Sequence, residues 1–139
     1  MIKPLFIDTN YLCAYYNKLD SFHDKAKKIF PKLSKFNLIF SNFILLECYT
    51  VISQRVSKKD ALLFKEDMYN QKYYRIFWID KELEQKTWNI FASIKDKNFS
   101  YVDASVLAAM KNQKITHLLS FDTGFAPLQK TFGFTLIGV

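Results

Sequence analysis

The stretch PLFIDTN, residues 4–10, ends an apolar run on an acid followed by two small polar residues. A short apolar run that stops this sharply is the pattern of a strand buried on both faces, and the stop places Asp8 where that strand finishes. NLIFS (37–41) looks much the same, YYRIFWI (73–79) is aromatic and β-branched, HLLSF (117–121) is short and apolar, and FTLIGV closes the chain. Five strands are therefore expected.

The segments between them carry helix starts. Ser21 stands three residues before Asp24, and Ser57 three before Asp60, as in acidic variants of the capping box; Asp80 is placed to cap the next helix. Beyond Asp80, the residues Leu83, Trp88, Phe91 and Ile94 recur at near-helical spacing and predict one apolar face. Pro31 ends or kinks the helix that begins near Ser21. Strands alternating with helices need crossover connections. The expected fold is thus α/β, a three-layer α/β/α sandwich around a five-stranded parallel sheet, in one domain over residues 1–139. Such sheets bind ligands at the carboxyl ends of their strands, which is where Asp8 would lie.

Bulk composition agrees with a globular core: 139 residues, 50% hydrophobic and 17% aromatic, with only three Gly and three Pro. No repeat or linker-like segment is visible. Cys13 and Cys48 have neither redox nor zinc spacing and read as core thiols. An acid interrupts the N-terminal apolar run before a signal-peptide core forms, and every apolar stretch falls short of the ~20 residues of a membrane helix, so a cytoplasmic protein with no membrane association is expected. The net charge of +7 favours a polyanionic partner, and lysines concentrate in HDKAKKIFPKLSK (23–35). His23 and His117 read as surface or packing residues, because nothing pairs either with a nucleophile.

Four acids break the local pattern. Glu47 shares a helical stripe with Phe43, Ile44 and Val51; Asp103 aligns with Phe99, Val106, Leu107 and Met110; Asp122 follows a short strand just as Asp8 does. Taken singly, Asp8 and Asp122 read equally well as caps, and Glu47 or Asp103 as a buried acid with a polar partner. Taken together, two strand ends and two inward helix faces can converge at one end of a parallel sheet. Carboxylates so crowded repel one another unless some are protonated or a cation lies between them. All-oxygen ligation points to one or two Mg²⁺ or Mn²⁺ ions rather than zinc. Such ions bind phosphoryl oxygens and activate water, so phosphodiester hydrolysis is the matching chemistry, with the lysines holding a nucleic-acid backbone. Thr9, Asn10 and Ser120 are placed to orient the acids.

With these residues in hand, the chain resembles the PIN-domain ribonucleases, particularly the small VapC-type toxins of toxin–antitoxin pairs. The resemblance is carried by Asp8-Thr9-Asn10, by Glu47, by Asp103 within YVDAS, and by Ser120, Asp122 and Phe125. It implies a magnesium- or manganese-dependent endoribonuclease with Asp8, Glu47, Asp103 and Asp122 as catalytic metal ligands, an RNA substrate, an antitoxin partner and a homodimer. Some members carry a further acid beside the third Asp, where this chain reads Ala104, Ser105 and Val106. PIN domains outside toxin systems serve RNA processing. A haloacid dehalogenase would want a second Asp at position 10, where Asn stands, and a phosphoreceiver would want paired early acids. A catalytically silent binding module of the same fold would gain nothing from an acidic cleft.

Overall fold

The computed structural model describes residues 2–139. Its five strands are β1 (Lys3–Ile7), β2 (Phe36–Ser41), β3 (Tyr74–Phe77), β4 (His117–Leu119) and β5 (Thr135–Ile137). They form one all-parallel sheet in the order β3-β2-β1-β4-β5. Seven α-helices make the connections: α1 (Thr9–Tyr16), α2 (His23–Ile29), α3 (Asn42–Arg55), α4 (Lys58–Asn70), α5 (Lys81–Ser93), α6 (Tyr101–Gln113) and α7 (Gln129–Phe132). Short 3₁₀ segments follow α2 (Phe30–Lys35) and β4 (Thr123–Leu128).

Burial explains why the central strands read as unbroken apolar runs. Leu5, Phe6 and Ile7 on β1, Leu38, Ile39 and Phe40 on β2, and Leu118 and Leu119 on β4 are all buried. Successive strand residues point to opposite faces, so both faces of the sheet must be covered, as the expected sandwich requires. The edge strands β3 and β5 are only partly covered. From β1 the chain first builds outward through β2 and β3, then returns to place β4 on the other side of β1. That reversal opens a crevice between the carboxyl ends of β1 and β4, the standard ligand position of open parallel sheets.

Local signals are mostly realised. Ser57 Oγ accepts the Asp60 N–H at 3.0 Å, and Asp80 Oδ1 accepts that of Leu83 at 2.9 Å. Pro31 stands at the start of the 3₁₀ segment that ends α2. Both cysteines are free and buried. His23 bonds through Nδ1 to the Ala14 carbonyl oxygen, and the His117 ring lies near Phe36.

Two expectations need correction. Ser21 caps nothing: α2 starts at His23 without a side-chain cap, because Asp20 makes the turn, its Oδ1 accepting the Phe22 N–H at 2.8 Å. The buried face of α5 keeps Leu83, with Ile94 partly buried at its end, but not Trp88 and Phe91. Thr87 takes the inner position four residues after Leu83, its hydroxyl satisfied by the Leu83 carbonyl oxygen, while Trp88 and Phe91 cluster in the open with Tyr101. In MYNQKYYRIFW (68–78) Met68 is core, whereas Tyr69, Tyr73 and Trp78 are exposed, since an edge strand leaves its flanks uncovered.

The packing makes a graded prediction. Phe40→Ala, at a fully buried site in the sheet, should cost about 3–5 kcal/mol. Leu62→Ala, on exposed α4 surface, should stay within about 0.5 kcal/mol. Urea denaturation of both variants checks the contrast.

Candidate active site

Asp8 ends β1 and caps α1. Its Oδ1 accepts the Thr9 N–H at 2.8 Å, and its Oδ2 accepts the Ser120 hydroxyl at 2.7 Å. Ser120 directly follows β4 and is a junction: its Oγ also accepts the Asp122 N–H at 3.0 Å and the Asn10 Nδ2 at 3.1 Å. Asn10 Oδ1 in turn accepts the Phe121 N–H at 3.0 Å. These bonds join the ends of β1 and β4. Beneath them β5 closes the floor, with the Ser120 N–H donating to the Ile137 carbonyl oxygen at 3.0 Å. The next residue, Gly138, has φ of +106°, and a Cβ there would lie 2.8 Å from the Ser120 carbonyl oxygen.

The other acids come from three further elements. Asp122 begins the 3₁₀ segment, and its Oδ1 accepts the Gly124 N–H at 2.8 Å. Asp103 lies in the first turn of α6 in a full capping box. Ser100 Oγ accepts its N–H at 3.0 Å, while its own Oδ2 accepts the Ser100 N–H at 2.9 Å. Glu47 lies in α3, on one face with Val51 and Arg55. All four acids line a single cavity of about 230 Å³ together with Thr9, Asn10, Cys13, Asp20, Val51 and Arg55.

Only Asp8 is buried, however; Glu47, Asp103 and Asp122 are half-exposed, so the helix-borne acids border an open cleft rather than face the core. Ser120 is fully buried behind the cavity, holding Asp8 from the rear. Sequence reasoning passed over Cys13, Asp20 and Arg55. Arg55 had a signal, two helical turns beyond Glu47 and four residues beyond Val51, and Cys13 stands four after Thr9. Asp20 reaches the cleft from a turn, with no periodicity to announce it.

Electrostatics record the crowding. The Asp8 carboxyl is raised to about 7, mainly by burial and further by the charges of Asp103 and Glu47, against the lowering hydrogen bonds of Ser120 and Thr9. Asp103 is raised to about 6, again chiefly by burial, with Asp122 and Glu47 adding to the rise. One further polar group looks for a partner: Thr9 Oγ1 is buried without a hydrogen bond.

Five carboxylates, Asp20 among them, an unsatisfied hydroxyl and no imidazole make a donor set that fits a hard divalent cation. Among the described residues no three acidic, histidine or cysteine side chains are drawn together at ligating spacing, because Asp8, Asp103 and Asp122 each bond a neighbouring cap or turn.

Fold and cleft together define a parallel α/β protein with an acid-lined crevice at the strand switch. A sequence profile of the PIN domain matches residues 5–130, and the chain belongs to that family. It is 25% identical over 122 residues to the 23S rRNA-specific endonuclease VapC20 of Mycobacterium tuberculosis, an alignment covering 88% of this chain and 92% of that protein. The crystal structure of that VapC20, a sarcin–ricin loop cleaving toxin, superposes with a TM-score of 0.82 at 26% identity over 97% of this chain and 98% of that one. The FitAcB structure from Neisseria gonorrhoeae shares the fold at a TM-score of 0.68 and 15% identity, over 96% of each chain.

The raised acids couple stability to pH. In the folded protein Asp8 keeps its proton up to about pH 7, whereas its ordinary value is 3.8. The stability this group contributes is complete below its unfolded value and is lost as pH rises through its folded one. In EDTA the melting temperature should therefore fall from pH 5 to pH 7.5, and Asp8→Asn, which mimics the neutral acid, should flatten the fall. A wild-type melting temperature that rises over this interval would contradict the assignment.

Proposed function

We propose that this chain is a metal-dependent endoribonuclease, one PIN domain over residues 1–139, acting as the toxin of a toxin–antitoxin pair. The observation that carries the reading is the gathering of Asp8, Glu47, Asp103 and Asp122 around one cleft at the β1–β4 switch, in a chain of this family. Likeness to an rRNA-specific endonuclease over most of both chains supports RNA as substrate, and a structured ribosomal hairpin loop is the first to try.

A divalent ion held by these acids would stabilise charge on the phosphate and make a water acidic enough to attack at neutral pH. The rest falls to the protein. Ser120 fixes the rotation of Asp8, Asn10 locks Ser120 against the backbone after β4, and the Ser100 box sets the height of Asp103 at the cleft edge. Arg55, exposed at the rim, is placed to hold a neighbouring phosphate and offset the repulsion between an acidic cleft and a polyanion. The wider surface helps: among the described residues the one ion pair is Lys65 with Glu66, so most cations of the +7 chain face solvent ready for phosphates.

An antitoxin partner and a homodimer belong to the same reading. A groove of about 530 Å³ between α3 and α4, lined by Tyr49, Ala61 and Leu62 between Lys58 and Lys65, offers a partner an apolar bed with cationic edges. Among the described residues no helix is long and apolar enough to cross a membrane, which accords with a cytoplasmic site of action. A catalytically silent RNA-binding domain is the second reading, favoured by the engagement of three acids in caps and turns.

Cleavage of a sarcin–ricin-type hairpin RNA with Mg²⁺ or Mn²⁺, against EDTA, separates the two. Wild type should cut only with metal. Asp103→Asn and Asp8→Asn should lower the rate by at least about a hundredfold, while Arg55→Ala should act mainly by raising KM. RNA binding without metal-dependent cleavage would establish the silent reading.

A further inference from the structure

Beside the acid cleft an aromatic pair is stacked with one ring outside. Phe22 and Phe121 lie with centroids 4.9 Å apart and planes 16° from parallel. Phe121 is 7% exposed, whereas Phe22 is 42% exposed, so one ring of the stack belongs to the core and the other is offered to solvent. Both are fastened to cleft residues. Phe121 sits between Ser120 and Asp122 with its N–H held by Asn10, and the Phe22 N–H is held by Asp20, itself part of the cleft lining.

A cation completes the arrangement. The Lys25 ammonium lies 5.2 Å from the Phe121 centroid and 6.0 Å from that of Phe22, and it donates to the Gly138 carbonyl oxygen. A flat π surface with an ammonium within 6.0 Å of its centre is the chemistry that holds an unpaired base and its phosphate.

We propose that Phe22, backed by Phe121 and flanked by Lys25, is a stacking platform for an unpaired RNA base next to the phosphate in the acid cleft. It is a positioning and specificity-determining residue, and the proposal rests on the endoribonuclease reading for its substrate. A platform of this kind favours looped or single-stranded RNA over a continuous duplex, since only an unstacked base can lie on the ring.

The test is binding of a fluorescein-labelled RNA hairpin with an unpaired loop, by anisotropy in EDTA so that the strand stays intact. Phe22→Ala should weaken binding by about 5- to 100-fold, the range for losing one stacked base. Phe22→Tyr and Phe22→Trp should stay within about twofold of wild type. Phe22→Leu, which keeps an apolar side chain without a π face, should behave like the alanine variant. Melting temperatures identify any variant that fails to fold; if Phe22→Ala does, the leucine and tyrosine variants decide.

Wild-type affinity in Phe22→Leu, or equal affinity of wild type for the hairpin and for a fully paired duplex, overturns the platform. Mg²⁺-dependent cleavage of the same hairpin is followed in parallel. Binding that obeys the series without cleavage retires the nuclease reading and leaves the platform standing. Cleavage that is indifferent to Phe22 in both KM and kcat does the reverse.

Discussion

A carboxylate at the end of a buried strand is held here by a single hydroxyl. Among the described residues no cation pairs with Asp8; the Ser120 hydroxyl and the Thr9 amide are what compensate its removal from water. That bond depends on which strands are neighbours. Ser120 reaches Asp8 only because β4 returns to lie against β1, with Asp8 N–H bonded to the Leu119 carbonyl oxygen at 3.0 Å. The strand order, the crevice and the placement of two of the four acids are aspects of one geometric demand.

Around this point the molecule separates its charges. The body carries the cationic excess on helices and loops, while one cleft gathers acids whose charges add to the proton affinity of Asp8 and Asp103. Such tension is unfavourable for an empty cleft and becomes an advantage with a cation, because the energy stored in repulsion is released on binding. Three acids nonetheless serve as helix or turn caps. The same carboxylates that end β1, open α6 and start the turn after β4 are those the proposed chemistry would use, so local folding signals deliver them to the cleft.

Much of this was legible in the sequence because it rests on short-range rules. Apolar runs closed by polar residues mark β1, β2 and β4, and Asp80 and Ser57 announce their helices. The acids showed themselves by standing where apolar residues were due. What escaped depends on competition between near-equal local options or on distance along the chain. Asp20 displaced Ser21 as the maker of a turn, and Thr87 displaced Trp88 from the inner face of α5 because its hydroxyl could be satisfied within the helix. Asp103 looked like a core intruder, although Ser100, three residues earlier, makes it half of a cap. The pairing of Phe22 with Phe121 spans most of the chain, and no local periodicity encodes it.

The floor beneath Ser120 has a bearing on how the chain tolerates change. Gly138 occupies a backbone region closed to side chains and leaves no room for one beside the Ser120 carbonyl oxygen. Any larger residue would lift the segment that orients Asp8. A saturation map of mutational tolerance would accordingly show a trough at this residue, although it bears no functional group at all.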